Sequence, residues 1–587
     1  MKRSASTVLA AGVILVVSFA SCTSEERGFE EPQAELPGND SGPDVAPESC
    51  EGLRCSRDLH AIVDGCSGNV VETCGDGLGC AAGKCVTACE AAAQSQGSIG
   101  CSFWTTPPDV QSDFDASCFA AFIANTWDKP ATVTARFGPD ALDVSNSIYR
   151  AISTSTTVRY ERIDGPIPPG EVGIVFLSQG PTGGIVSRSI RCPLGIETAH
   201  FGVAVKEHET SIYKAFQLET DVPVSAYSIY PYGGADSHVP TATLLLPTSS
   251  WGTQYVLVDG FDPSLEHPTV QIVAQEDDTV VRMRPKVDIR ASGSMEGVVA
   301  GSLATWTLSR GQVLELRQPT SLAGTPIEAT HPVALFGGTV CSYIPQNVAA
   351  CDTLHQQIPP LKQWGSSYSA VPYQTRRRAA DGRPLPETVL WRVVGARDGT
   401  MLTWYPSRPE GAPETLASGQ LVFLSSDTPF TVTSQGADYP FYLAQYMTGS
   451  MVYRTLGDPE FVNVVPDEQF LDHYVFYVDH TYRDTSLTVI RRKDATGFHD
   501  VQLECAGVLS GWQPLGADGA LEYTWVEITK GGKPVATASG SCAYGRHEAS
   551  SDGPFQVYVW GIDDAASYGY PAGAGSRPTT PFAVEVH

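Results

Sequence analysis

Chemistry-bearing side chains gather in a few short stretches of this chain. "KEHET" sets Glu207, His208 and Glu209 side by side, a donor set that a metal ion would accept if the three converged. In a strand they do not converge, because alternate residues face opposite sides, so a solvated strand edge is the expectation. "TRRRAADGR" places Arg376, Arg377 and Arg378 in a row, either a cationic patch for an anionic polymer such as a polysaccharide or lipopolysaccharide, or a solvated loop. "EDDTV" at Glu276 and "GIDDAAS" at Gly561 pair carboxylates. Calcium is the one cofactor that such turns admit; neither carries an EF-hand loop, and no metal site is assigned.

Enzyme signatures are missing. The chain has no Gly-x-Ser-x-Gly elbow, no His-Glu-x-x-His, no P-loop and no Gly-x-Gly-x-x-Gly entering a helix. No catalytic residue is therefore nominated. The 587 residues carry 38 Lys and Arg against 65 Asp and Glu, a formal charge of −27. That balance disfavours nucleic acid, whose phosphates need neutralising cations.

Cysteines carry the clearest covalent chemistry. "MKRSASTVLAAGVILVVSFASC" has a basic start, an apolar run too short to span a bilayer, and small residues before Cys22. It resembles the lipobox of bacterial lipoproteins, with Phe19 in place of the usual aliphatic residue and Cys22 as the lipidated residue. Removing Cys22 from the 15 cysteines leaves an even 14, as disulfides in an exported protein require. Cys50, Cys55, Cys66, Cys74, Cys80 and Cys85 crowd a segment with little core of its own, so three disulfides are expected there. Zinc is disfavoured, since the segment has no Cys-x-x-Cys pair. Cys89, Cys101, Cys118 and Cys192 supply two more bridges, and Cys341 with Cys351 and Cys505 with Cys542 are local pairs.

The elements that must position these groups are strands. "EVGIVFL", "YVLV", "VQIVAQ" and "FQVYVW" are short, β-branched or aromatic, and bounded by turn residues. Asp398-Gly399 and Asp277-Asp278 each separate two such runs and predict hairpins. Residues 1–22 read as a lipoprotein signal peptide and 23–49 as a disordered acidic, Pro-rich tether. Residues 50–89 form the six-cysteine module and 90–587 a β-repeat domain. The repeat shows in the prolines: Pro223, Pro332, Pro440 and Pro534 follow one another at 109, 108 and 94 residues. Pro247, Pro360 and Pro466 lead to Trp251, Trp364 and Phe470, then to Tyr255, Tyr368 and Tyr474. Each aromatic is read as a plug at one end of a β-unit's core, not as a ligand platform. The fold class is all-β, with tandem antiparallel repeats. Sandwich-like units in a row come first, and four units closing into a propeller-like ring are the alternative.

Four stretches, "HPVALFGG" (331–338), "CDTLHQQIPPLKQWGSSYSAVPY" (351–373), "VPTATLLLPTSSWGTQYVLV" (239–258) and "SYGYPAG" (567–573), resemble the IgGFc-binding protein N-terminal domain family, over roughly Ala91 to the C-terminus. The resemblance implies an extracellular β-rich binding or scaffold domain with no catalytic residues to transfer. The anchor and the six-cysteine module depart from the family's animal members. The expected function is that of a cell-surface binding or adhesion protein. It would be lipid-anchored at the outer membrane of a Gram-negative bacterium and recognise an extracellular protein or glycan. Its only tie to the membrane would be the N-terminal lipid. A carbohydrate-active hydrolase on a β scaffold and a purely structural envelope protein are the alternatives.

Overall fold

Short β-branched and aromatic segments, cut by Gly, Pro and Asp, turn this chain almost entirely into strands. The computed structural model describes residues 52–153, 158–181, 188–206, 208–237, 239–261, 265–349 and 351–586. Cys22, Cys50 and Glu207 lie outside them. The one α-helix among the described residues is Ala88–Gln94, capped by the Thr87 hydroxyl, which accepts from the Glu90 N–H.

Four units repeat one plan. Each opens with a strand: Gly100–Thr105, Gly252–Val256, Ser367–Ala370 and Leu471–Val478. In each, the same register joins this start to a strand that follows a proline. Gly100 faces Val224, Gly252 faces Val333, Gly365 faces Phe441 and Leu471 faces Phe555. The prolines just before are Pro223, Pro332, Pro440 and Pro554. Pro534 is thus not the fourth member; it sits exposed on the hairpin strand Lys533–Ala536, a local addition to the last unit.

Each unit ends with an inner strand: Thr241–Leu245, Asp352–Ile358, Glu460–Asn463 and Ala566–Pro571. The first of these packs on the second and the fourth, and the third packs on the same two. The four curled antiparallel units therefore close around one axis. The all-β repeat expectation holds, and of its two arrangements the ring is the one observed. Closure joins the last unit to the first: Tyr227 donates to the Val475 and Ala572 carbonyls at 2.6 and 2.7 Å, and Phe122 stacks on Tyr477. One core cluster spans both units. The axis itself is filled by polar bonds. The Thr241 hydroxyl crosses it to Glu460 at 3.2 Å, and the Gln356 amide donates to Ala242 and Gly569.

The aromatic plugs sit in matching places. A one-turn 3₁₀ helix starts after Pro247, Pro360 and Pro466, each with φ near −60°, and ends at Trp251, Trp364 and Phe470, all buried. Both indole N–H groups donate to a carbonyl five residues back, Leu246 and Pro359, at 3.1 Å. Tyr255, Tyr368 and Tyr474 donate to Val333, Phe441 and Phe555 and accept the N–H of Gly252, Gly365 and Leu471. Units lock through the glycines. A Cβ on Gly252 would lie 2.7 Å from the Pro360 ring, and Gly365 meets Pro466 in the same way. The first unit carries this device with different residues: Gly100 lies against Pro247, Ile99 takes the plug's place and buried Phe103 takes the tyrosine's.

Two expected hairpins are corners instead. Pro268–Ala274 and Thr279–Met283 flank Asp277-Asp278 but pair with different halves of Pro326–Ser342, Ala274 with Val333 and Val281 with Ala329. Val389–Gly395 pairs with Leu421–Ser426 and Phe441–Met447, while Thr400–Met401 pairs with Thr415–Leu416. At Asp277-Asp278 the long strand Pro326–Ser342 accepts both flanking strands along its length, and at Asp398-Gly399 the two flanking strands join separate partners, so neither turn folds the chain back on itself.

Disulfides join Cys55–Cys80, Cys74–Cys85, Cys89–Cys101, Cys118–Cys192, Cys341–Cys351 and Cys505–Cys542. Cys66 sits exposed in a turn. The cysteine-rich segment rests on the ring. Arg57 pairs with Asp472 and Asp552 of the fourth unit, and His60 stacks on Trp127 of the first.

Candidate functional site

The arginine run lies where the third unit meets the fourth, and the fold uses each arginine differently. The Arg376 side chain is buried. It bonds to Glu387 through its side chain and backbone, to the Thr448 hydroxyl at 2.8 Å and to the Leu456 carbonyl at 3.1 Å. Arg377 lies over the Tyr453 ring and donates to the Pro386 carbonyl. Arg378 reaches Glu527 of the fourth unit at 3.8 Å. The run is therefore no cationic patch: Arg376 is built into the fold, and the stretch from Arg378 to Pro384, closed by a bridge between those two residues, is the solvated part of the loop.

Beside it opens a cleft of about 610 Å³. Arg378, Glu527, Lys530 and Asp484 line its walls, with Met451 and Ile562 adding apolar surface. Lys530 is taken by Asp484 at 2.9 Å. Arg454, exposed at the rim with φ 55°, makes no hydrogen bond or ion pair among the described residues. A non-glycine residue at positive φ is uncommon and marks a place where the surroundings hold the backbone.

The "KEHET" segment differs from its expectation. Its described residues, Lys206 and His208 to Thr210, follow His200–Phe201 as irregular chain and not as a strand. Buried Lys206 sits 3.2 Å from Glu315 and 3.5 Å from Asp109. His208 lies 2.8 Å from Asp109 and 3.1 Å from Asp115, and Arg317 is 3.3 Å from Asp109. Glu209 faces away and accepts from Ser292. The His208 imidazolium donates to Asp109 and Asp115, and these hydrogen bonds raise its pKa to about 9. Burial pushes Asp109 up, but Lys206, His208 and Arg317 outweigh it and leave the carboxyl below its usual range. Burial raises Glu315 to about 7 against the pull of Lys206.

Titratable groups this perturbed mark functional sites and structural ion networks alike. Space decides between the two. The cavity beside Lys206 holds about 10 Å³, at most the room for one water, so no substrate fits. The network seals the first unit to the second. Asp109, Glu315 and Arg317 carry no sequence signal that would have grouped them with Lys206, since they come together only across the seam.

The acid pairs serve the chain. Asp277 accepts the Arg310 N–H at 2.9 Å, Glu276 lies 3.3 Å from His331, and Asp563 pairs with Arg483. Among the described residues, Glu504, Cys505 and His547 are the one group of three potential metal ligands whose donor atoms all lie within 4.8 Å. The Cys505 sulfur is bonded to Cys542, which removes it as a ligand. Trp251, Trp364 and Phe470 offer no platform to a ligand, being buried in the core.

Part of this sequence matches known proteins. The family model for IgGFc binding protein matches residues 241–561. That span starts at the first inner strand and ends within Gly545–Asp563 of the fourth unit. Human IgGFc-binding protein is 24% identical over 155 residues, 26% of this chain and 3% of that protein. The chain thus spans a small part of the curated relative it matches. No solved structure gives a significant match. With more than half of its residues inside the family model, which covers three of the repeat prolines, the three aromatic plugs and the first three inner strands, this chain belongs to the IgGFc binding protein family.

Proposed function

We propose that this protein is an exported surface protein whose β-ring binds an extracellular protein or glycan. Residues 1–22 direct export and end at a lipidated Cys22, 23–49 tether the body, and 50–89 form a disulfide module ahead of the repeat domain, 90–587. The lipid holds the protein at the outer membrane or cell surface of a Gram-negative bacterium, where it serves adhesion. The family is one of binding proteins, and the human relative is named for antibody Fc; the protein-binding class, not that ligand, is carried over.

One observation supports a contact site: the cleft of about 610 Å³ between the third and fourth units, with Arg454 unpartnered at its rim. Its volume falls within the range of about 300–1,000 Å³ usual for ligand sites. A screen of the purified full-length protein against glycan and extracellular-protein arrays tests the reading. Binding that weakens in Arg454→Ala supports it. Binding unaffected by that change moves the contact elsewhere on the ring, and no binding to either array contradicts it. Palmitate labelling tests the anchor: label retained in Cys22→Ala would refute it.

A further inference from the structure

The two ends of the inner strands are chemically unlike. At one end lie the plugs. At the other, Asp352 of the second unit and Asp458 of the third hold the same place, each eight residues before its unit's proline, Pro360 or Pro466. Glu460 follows two residues after Asp458. All three are fully buried. Asp352 faces Ser342 across the strand pair, so both side chains lie on one face of the sheet.

Three other buried acids of the ring have a cation at hand, while Asp467 and Asp479 have no ion pair among the described residues. Asp259 has Arg392 at 3.1 Å, Glu387 has Arg376, and Glu315 has Lys206. Asp352 and Glu460 have none within ion-pair distance among the described residues. One oxygen of each accepts hydrogen bonds: Asp352 from the Thr353 N–H, Glu460 from Thr241 and the Phe461 N–H. The second oxygen of each has no partner. Two further buried groups converge here with free polar atoms, the Ser342 hydroxyl and the phenol of Tyr482 from the fourth unit. The Tyr482 oxygen lies against Gly234 of the first unit, so all four units meet at this point. Burial, with Asp458 and Glu460 nearby, drives Asp352 far above its ordinary pKa; burial first, and then Asp479, Asp352 and Glu460, raise Tyr482.

Uncompensated buried carboxylates are costly, and proteins settle them with a proton or a cation. We propose that this end of the ring axis holds one hard divalent cation, calcium or magnesium, between Asp352, Asp458 and Glu460. The donors are all oxygen, the chemistry of those two ions. The three carboxylates do not form a coordination-sized cluster. The ion therefore keeps part of its water shell, and the Ser342 and Tyr482 hydroxyls bond to that water. Bound there, it ties the second unit to the third at the axis.

The test uses the purified full-length protein, stripped with EDTA and dialysed, then melted with added calcium or magnesium. The expected result is a saturable rise of a few degrees with one of the ions. The rise is absent in the Asp352→Asn, Glu460→Gln double variant, which melts at or above the metal-free wild type. If that variant does not fold, Tyr482→Phe and Ser342→Ala keep the charges and shift the midpoint of the rise to higher ion concentration. Neither ion changing the wild-type melting would overturn the proposal and leave the acids protonated. An equal rise in the double variant would also overturn it, by placing the ion elsewhere.

Discussion

Two buried acidic regions of the ring solve one problem in opposite ways. At the seam of the first and second units, Glu315 and Asp109 are matched by Lys206, Arg317 and His208. At the axis, Asp352 and Glu460 meet no cationic side chain among the described residues, only hydroxyls and N–H groups. The seam is complete within the polypeptide. The axis acids are short of positive charge, and that shortage, together with the unpartnered Ser342 and Tyr482 hydroxyls beside them, is what the proposed ion would settle. The lesson extends to the arginine run, where Arg376 is as buried as Arg392 and as fully matched.

Removing charge should therefore act in opposite directions at the two places. Lys206→Ala leaves Glu315 buried without its cation, while Asp109 keeps Arg317 and His208, and is expected to cost about 3–5 kcal/mol in denaturant unfolding. Removing axis charge from the metal-free protein should cost nothing or stabilise it. Equal losses at both places would erase the distinction. Trp364→Ala, a packing change away from either region, is expected to cost about 3–5 kcal/mol through the cavity it leaves. Its partner measurement is Ile99→Ala, which should cost less because Ile99 is smaller and half-exposed.

The seam also has a pH signature. His208 titrates at about 9 in the folded chain against an ordinary 6.5. A raised imidazole pKa adds stability in full below 6.5 and loses it as the pH climbs through about 9. Unfolding midpoints measured across that window should fall more steeply in the wild type than in His208→Gln. Parallel curves would remove His208 from the network. The smallest effect is expected at the cleft: Arg378, 3.8 Å from Glu527 and a third exposed, should cost under about 1 kcal/mol when changed to alanine.

What the amino-acid order reveals follows from range. The three units with Pro, then Trp or Phe, then Tyr are legible because a buried aromatic and a φ-fixed residue recur at near-constant spacing. The first unit escaped notice because Ile99 and Phe103 fill the same places without an indole or a phenol, and no proline stands ahead of Gly100. Pro534 drew attention by spacing alone, while Pro554, at the true register position, lies beyond the added hairpin of the last unit. The Arg376 run and "KEHET" were misread for one reason: their partners, Glu387 and Thr448 for one, Asp109 and Glu315 for the other, are set by folding. The matched spacing of Asp352 and Asp458 ahead of their prolines was present in the chain. It gained meaning only once the inner strands were seen to meet at an axis.

The account turns on whether the axis acids are matched by an ion. Native mass spectrometry of the full-length protein, purified without chelator, reads this directly. One bound calcium or magnesium per chain is predicted in the wild type, with none in the Asp352→Asn, Glu460→Gln variant. A wild-type mass with no calcium or magnesium added to the covalent polypeptide would contradict it.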